Sequence, residues 1–189
     1  MRRMLEWLLL VALVSSSISL AADDTAVPVK SGMPVGEIVP AFNVRDITGP
    51  QKGKTLCYRC RYGNAPTIAV FAREIDESLT TLIKQIDDRQ KTSSDKGLKS
   101  FVIFINDDPD SIEPQIEKLS SDQKLSGTPL TLIEGVQGPP EYKITREAAV
   151  TVLMWVDGQV KVNRAFGKGR INLAAINEVL GETPKILAP

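Results

Sequence analysis

Two nearly continuous apolar runs, separated by one amphipathic stretch, constrain the fold of this chain more than any other feature. The runs cover residues 67–72 and 101–105, and each is typical of a strand that is covered on both faces. Between them, apolar residues recur at spacings of four, three and four from Ile75 to Ile86, which predicts a helix over about 74–91. Buried strands joined by a helix require a parallel crossover, so the pattern indicates an α/β fold.

The strongest local turn signal lies nearer the C-terminus. Asp157-Gly158 joins two β-rich runs at 150–156 and 159–166, and a two-residue Asp-Gly link is typical of a β-hairpin. We therefore predict a mixed sheet of four to five strands with a C-terminal β-hairpin, flanked by helices. The other predicted elements are a strand at 42–48, a helix from an N-cap at Ser111 to about residue 124 with Pro114 in its first turn, a strand at 129–133 and a helix at 171–180.

Composition excludes several classes of function. Lysine plus arginine equals aspartate plus glutamate at 23 each, so the cationic field of a nucleic-acid-binding protein is absent. The chain has no histidine, which excludes an imidazole base, a Ser-His-Asp or Cys-His pair and a zinc site containing histidine. A length of 189 residues fits one domain. We expect a monomer without a cofactor, a metal or a nucleic-acid partner.

The N-terminus has the pattern of a signal peptide. Two arginines precede an apolar run at 7–14, and Ser19 and Ala21 occupy the −3 and −1 positions of a small-residue cleavage site. Four serines interrupt the stretch, which makes it a poor membrane span, although an uncleaved anchor is the alternative. We expect an exported protein, periplasmic or secreted, without a membrane span in the mature chain.

The sequence patterns divide the chain into four parts. The predicted parts are a signal peptide at 1–21, a flexible lead-in at 22–36, the folded domain at 37–182 and a C-terminal tail at 183–189.

Two motifs carry a resemblance to a known family. Residues 36–49, Gly-Glu-Ile-Val-Pro-Ala-Phe-Asn-Val-Arg-Asp-Ile-Thr-Gly, are similar to the "G-x-x-x-P-x-F-x-L-x-D-x-x-G" opening of redoxins. Residues 142–144 and 150–160 are similar to their "Y-x-V … P-T-x-x-L-I-D-x-x-G-x-I" segment. Over residues 36–180 the chain thus resembles the thioredoxin-like superfamily, in its branch of peroxiredoxins and exported thiol-disulfide reductases. The resemblance implies a thioredoxin-like fold and thiol-disulfide chemistry.

Two departures from that family concern its active site. The family's reactive cysteine follows the first central strand, where this chain has no cysteine and reads Ala-Arg-Glu-Ile-Asp over 72–76. The family's cis-proline is replaced by the Ala-Ala-Val of 148–150. We interpret Arg73, Glu74 and Asp76 as a charged first helical turn, with a remnant binding site as the alternative.

Cys57 and Cys60 are the only cysteines. In an oxidising compartment two such residues form a disulfide most simply. An extended chain would separate their Cα atoms by roughly 10 Å, whereas a disulfide needs about 4.4–6.8 Å. The pair should therefore lie on a tight loop or a single helical turn near the surface. Arg59 and Arg61 adjoin it, and nearby cations favour the attacking thiolate.

Three hypotheses for the pair stay open from the sequence. Cys57 and Cys60 could be catalytic, exchanging disulfides with exported proteins that carry thiols or disulfides. They could form a structural disulfide in a non-catalytic thioredoxin-fold binding or scaffold domain. They could hold a soft metal such as Cu(I) through two thiolates. Position discriminates between the first two: a loop beside Arg73 would reach the usual substrate groove, whereas a loop on the opposite edge would leave that groove empty and would count against the catalytic hypothesis.

Overall fold

The computed structural model describes residues 29–187, which form one mixed seven-stranded sheet with helices. The strands are β1 (Val44–Asp46), β2 (Thr55–Leu56), β3 (Thr67–Ala72), β4 (Lys99–Asn106), β5 (Leu130–Glu134), β6 (Val150–Val156) and β7 (Gln159–Phe166). The helices are α1 (Tyr58–Tyr62), α2 (Glu77–Thr92), α3 (Pro109–Asp122) and α4 (Leu173–Gly181), with 3-10 turns at Pro140–Tyr142 and Thr183–Lys185. The predicted signal peptide at 1–21 and the first part of the predicted lead-in, 22–28, lie outside the described residues, as do residues 188–189.

The strand order is β2-β1-β5-β4-β3-β6-β7. β3, β4 and β5 run parallel, and β6 and β7 form the predicted antiparallel hairpin beside β3. The α/β prediction is confirmed, but the count of four to five strands is wrong. The chain turns back after β1 through Gly53, whose φ of 82° suits glycine, and returns as the two-residue β2. This short hairpin extends the sheet beyond β5.

The sheet buries both of its faces. Ile68 and Val70 point to the face covered by α2, α3 and α4, whereas Ala69 and Phe71 point to the other face, which α1 and the chain before β1 cover. Each of the four is at most 1% exposed, which confirms β3 as a central strand. Within residues 29–187, no helix has the length and apolar character needed to cross a bilayer.

Two helices begin elsewhere than predicted. α2 starts three residues later, because the Asp76 carboxylate accepts a hydrogen bond from Leu79 N–H (2.7 Å) and so caps the helix. α3 starts earlier, because Asp108 caps Ser111 N–H (3.1 Å) and Pro109 supplies the fixed φ of the first turn. Ser111 is therefore not the N-cap.

Residues 31–39, which we name the strap, lie along the free edge of β7. Gly36 N–H donates to Val160 C=O and Val160 N–H donates to Glu37 C=O, both at 2.9 Å. Met33 is buried in the core, although we predicted a flexible lead-in up to residue 36. Pairing with the strap covers backbone groups that an edge strand would otherwise expose. In the predicted C-terminal tail, Thr183 is likewise buried.

A buried carboxylate fastens α2 to the loop before β5. Asp87 is fully buried, and its carboxylate accepts hydrogen bonds from Gly127 N–H (2.8 Å) and Thr128 N–H (2.9 Å). The same carboxylate forms an ion pair with Lys91 Nζ (2.7 Å). Burial alone would raise the pKa of Asp87, but the bonds from Lys91 and the backbone lower it below its ordinary value. The folded state therefore favours the charged carboxylate.

Replacing that carboxylate tests the tie. Asp87→Asn should lower the free energy of unfolding at pH 7 by about 1–3 kcal/mol, since a charged acceptor of several hydrogen bonds is lost. The folded-state pKa of Asp87 is depressed, so its stabilisation is complete above the ordinary carboxyl pKa and is lost as the pH falls below about 4. Urea unfolding at pH 7 and pH 3 should show the difference between wild type and variant shrinking. Asp88→Asn, on the exposed side of α2, is the control, and an equal loss there would contradict the interpretation.

The central position of β3 gives a second prediction. Phe71 is 1% exposed and its ring lies 6.0 Å from that of Phe42 and 5.5 Å from that of Tyr142. Phe71→Ala should cost about 3–5 kcal/mol in urea unfolding, because a large core side chain is removed. Val35→Ala, at a 63% exposed position, should change the same quantity by less than about 0.5 kcal/mol. A loss below about 1 kcal/mol for Phe71→Ala would contradict a central β3.

Candidate functional site

Cys57 and Cys60 form a disulfide on the single helical turn α1, as the sequence predicted. Their Cα atoms are 5.2 Å apart. Cys57 is the N-cap of α1, and its Sγ accepts a hydrogen bond from Cys60 N–H at 3.0 Å. Cys60 is exposed and Cys57 is half-buried. The disulfide is therefore open to solvent on the Cys60 side.

Two tyrosines anchor this turn to the sheet. Tyr58 and Tyr62 are four residues apart, so both lie on the inner face of α1. Their rings lie 5.4 and 5.9 Å from the Phe101 ring at the start of β4. Burial raises the pKa of each tyrosine, and for Tyr58 the hydrogen bond to Asp46 adds to the shift. Both hydroxyls therefore remain protonated donors.

The hydroxyl of Tyr58 meets a buried carboxylate. It donates to Asp46 Oδ2 at 2.9 Å, and the same carboxylate accepts from Gly49 N–H (2.7 Å) and Gln51 N–H (2.8 Å). Only glycine fits at position 49, because a Cβ there would lie 2.3 Å from the tyrosine hydroxyl. One carboxylate thus joins β1, the following turn and α1.

The two arginines beside the disulfide differ in their surroundings. Arg59 donates from Nε to Val39 C=O (3.1 Å) and from Nη1 to Gly63 C=O (3.0 Å), which ties α1 to the strap. Its Nη2 lies so close to Gly158 that a Cβ there would approach to 2.5 Å. Arg61 is exposed, and its side chain makes no hydrogen bond or ion pair with residues 29–187. Arg59 is held by backbone carbonyls, whereas the Arg61 side chain is exposed to solvent.

The disulfide and Arg73 lie at opposite ends of the sheet. Tyr62 of α1 donates to Ser100 C=O (3.3 Å) near the start of β4, whereas Arg73 follows the last residue of β3. β3 has six residues, so at about 3.3 Å per residue the two ends are roughly 20 Å apart. The structure therefore does not bring Cys57 and Cys60 to the usual groove of the resembled family.

Arg73 itself holds the loops at that groove together. Its guanidinium donates to the carbonyls of Val136 (2.9 Å), Thr145 (3.1 Å) and Ala148 (3.2 Å). No peptide bond among the described residues is cis, including those in the stretch that replaces the family's proline. No sequence pattern predicted these carbonyl partners, which lie more than 60 residues away from Arg73 along the chain.

The other two charged residues predicted beside Arg73 also have structural partners. Glu74 pairs with Lys168 (2.7 Å), and Asp76 caps α2. The predicted charged first turn is wrong, because the helix starts only after Asp76.

The metal hypothesis needs thiolates that this form lacks. The sulfurs of Cys57 and Cys60 are bonded to each other. In the described part of the chain, no three Cys, Asp or Glu side chains cluster in a way that could hold a metal ion. A two-thiolate site would require the reduced pair.

Comparison with known proteins rests on structure. No protein-family model matches the chain, and no curated protein sequence matches it. An uncharacterized conserved protein from Geobacillus kaustophilus matches with a TM-score of 0.62 and 15% identity, over 87% of this chain and 90% of that one. Peroxidoxin BcpB from Mycobacterium tuberculosis matches with 0.57 and 17%, over 82% and 99%. A thiol:disulfide interchange protein of the thioredoxin family from Chlorobium tepidum TLS matches with 0.53 and 15%, over 78% and 97%.

These likenesses establish the fold. The chain has a thioredoxin-like fold, and its structural neighbours include a peroxidoxin and a thiol:disulfide interchange protein. Identities of 15–17% carry no further conclusion about its chemistry.

The anchoring of α1 gives a prediction. Tyr58→Phe should lower the free energy of unfolding by about 1–3 kcal/mol, because the buried Asp46 carboxylate loses a donor. Tyr62→Phe is the matched control: its 3.3 Å bond to a neutral carbonyl should be worth about 0.5–1 kcal/mol. Urea unfolding of the two variants gives the comparison. Equal losses would show that Asp46 does not organise this end of the sheet.

Proposed function

We propose that the protein exchanges thiols and disulfides with partner proteins through Cys57 and Cys60. One observation carries the proposal: the disulfide lies on a surface turn with Cys60 exposed and with the Cys57 sulfur hydrogen-bonded by Cys60 N–H. An exposed sulfur can be attacked, and a hydrogen bond to the other sulfur stabilises it as a thiolate leaving group. The exchange would take place at the end of the sheet opposite Arg73.

The exposure of the two residues sets the order of steps. A partner thiolate attacks Cys60 Sγ, the S–S bond breaks, and its electron pair goes to Cys57 Sγ. A second partner thiol then attacks the mixed disulfide, which leaves the partner with a disulfide and this protein with two thiols. A further disulfide-bearing protein re-oxidises the pair by the reverse steps. Reduction of a partner's disulfide accordingly starts from Cys60, and Cys57 resolves the intermediate.

Arg61 is the candidate modulating residue of this exchange. It follows Cys60 directly, is exposed, and has no carboxylate or carbonyl partner among residues 29–187. A cation at this position favours thiolate forms of the pair. Arg59 would contribute its charge too, but from a guanidinium turned toward Val39 and Gly63.

The position of the disulfide favours a second function, because a pair at the end of the sheet opposite Arg73 does not reach the usual groove. At the end of the sheet where the groove of thioredoxin-like proteins lies, Arg73 binds three backbone carbonyls. At the other end, Tyr58 and Arg59 tie α1 to the rest of the fold. These features suit a non-catalytic binding or scaffold domain with a structural disulfide. Closing a four-residue loop would add at most about 2 kcal/mol by the chain-entropy model.

We also propose that the protein is exported and that its mature form is a monomer. The arginines, apolar run and small residues of 1–21 support removal of a signal peptide after Ala21. A disulfide at the surface also suits an oxidising compartment. Mass spectrometry of the purified protein should find Ala22 at its N-terminus, and cell fractionation should find it outside the cytoplasm. An intact N-terminus on a membrane-bound protein would favour the uncleaved anchor.

Single cysteine variants test the exchange. Reduced Cys57→Ser should accumulate mixed disulfides on Cys60 when mixed with a disulfide-bearing protein such as insulin, because the resolving thiol is missing. Reduced Cys60→Ser should accumulate far fewer, since Cys57 is half-buried. Mass spectrometry after acid quenching would quantify both species. The double variant is the control for non-specific capture.

The reduction potential separates the two functions. A value above about −300 mV, together with insulin reduction faster than with free dithiothreitol, supports exchange. A lower value with no turnover supports the structural disulfide, and the double variant should then lose only about 2 kcal/mol or less of stability.

A further inference from the structure

The disulfide lies within the most one-sidedly charged stretch around the candidate site. Residues 47–66 contain four cations, Lys52, Lys54, Arg59 and Arg61, and no aspartate or glutamate. The whole chain carries equal numbers of the two signs. The local excess therefore distinguishes this end of the molecule from the average surface.

Only one of these four cations has a carboxylate partner among residues 29–187. Lys52 pairs with Glu117 (2.6 Å), and Arg59 donates to carbonyls. Lys54 and Arg61 are exposed, and neither makes an ion pair within residues 29–187. The two free cations lie on either side of the disulfide in sequence, three residues before Cys57 and one residue after Cys60.

A cleft next to α1 continues the cationic surface. Its volume is about 480 Å³, within the range of ligand-binding clefts. Tyr62 of α1, Gln90 and Lys99 line it, together with the loops 48–50 and 125–129. Lys99 is half-buried and forms no ion pair with the described residues. The cleft therefore contains a further ammonium group without a carboxylate partner among those residues. Lys99 lies two residues before Phe101, whose ring packs against Tyr58 and Tyr62 of α1.

The nearby carboxylates do not line the cleft, and Asp46, which accepts a hydrogen bond from Gly49 N–H of the cleft wall, is fully buried. Asp87 lies under the loop before β5, but it is fully buried and paired with Lys91. Asp157 is exposed. It lies near α1, because its N–H donates to the C=O of Asn64, two residues after α1 ends (3.0 Å). Asp157 belongs to the β6–β7 turn, however, whereas Lys99 and the cleft lie on the β4–β5 side of β3. The side of α1 toward β4 is therefore the cationic one.

We infer that this surface selects an acidic protein segment, whose carboxylates contact Arg61 and Lys99 while its cysteine reaches Cys60. The inference rests on the proposed function, to which it adds the class of partner. Opposite charges accelerate encounter and exclude like-charged partners, and the effect weakens as salt screens it. No aspartate or glutamate is among the residues that line the cleft, so no exposed acid there would repel the segment.

Two synthetic peptides of equal length, each with one central cysteine, test the inference on the full oxidised protein. One peptide has glutamates around the cysteine and the other has lysines. The measured quantity is the second-order rate constant for opening the Cys57–Cys60 disulfide, divided by the same peptide's rate constant with 2-hydroxyethyl disulfide. This division removes the effect of flanking charge on the peptide's own thiol. At low salt the acidic peptide should react about tenfold faster or more, and the ratio should approach one in about 1 M salt.

Charge variants locate the effect. Arg61→Gln with Lys99→Gln should reduce the tenfold preference to about twofold or less, since the two proposed contacts are gone. Arg146→Gln removes the same kind of charge at the Arg73 end of the sheet and should leave the preference unchanged. An equal loss in Arg146→Gln would overturn the inference, because it would show an effect of net charge alone.

Failure of the inference and failure of the proposed function give different results. If dithiothreitol opens the disulfide and both peptides react equally, the inference is overturned while the exchange function stands. If no thiol reacts, the exchange function fails, and a fluorescent acidic peptide with serine in place of cysteine decides the inference by anisotropy. Salt-sensitive binding that Arg61→Gln with Lys99→Gln weakens supports the acidic partner, and absence of binding overturns it.

Discussion

The buried carboxylate of Asp46 is the contact on which the candidate site depends. It accepts hydrogen bonds from two backbone N–H groups of the turn after β1 and from the Tyr58 hydroxyl. A buried charge is tolerated only when its acceptor positions are filled, so these donors must stay in place. The position of α1, and with it the direction in which Cys60 faces, follows from that requirement. The disulfide lies on the turn that this arrangement positions.

Long, regular elements could be predicted from the sequence because their patterns are local. The apolar run of β3 and the Asp-Gly turn between β6 and β7 both have strong signals. The two residues of β2 and the five of α1 are too short to show any period, and neither element was predicted. Asp108 escaped notice as a cap because Ser111 nearby is an equally good cap residue by type. The choice between them is made by Pro109, which favours the earlier start.

The candidate site shows the same division between local and distant information. A separation of three residues was enough to predict that Cys57 and Cys60 share a tight turn. Their place in the molecule depends on contacts with Phe101 and Val39, which lie far away in sequence and have no motif. The role of Arg73 depends equally on distant carbonyls. A thioredoxin-like fold therefore does not by itself locate the chemistry of a chain that carries it.

In the proposed exchange, the rigid anchoring of α1 and the positive charge beside the disulfide have opposite effects on the redox balance of the pair. Tyr58, Tyr62 and Arg59 contact other parts of the fold through groups that are not the sulfurs, so we expect the two sulfurs to remain neighbours after reduction. Preorganised thiols close again readily, because little chain entropy is lost, and this makes the reduced pair a better reductant. The Cys60 N–H and the Arg61 charge would stabilise a thiolate in that exchange, and this would make the oxidised pair a better oxidant. Of these two effects, an acidic partner would change the one that depends on charge. Its carboxylates, bound at Arg61, would offset the positive charge that stabilises the thiolate. The partner that the surface attracts would thus also shift the pair toward its disulfide form.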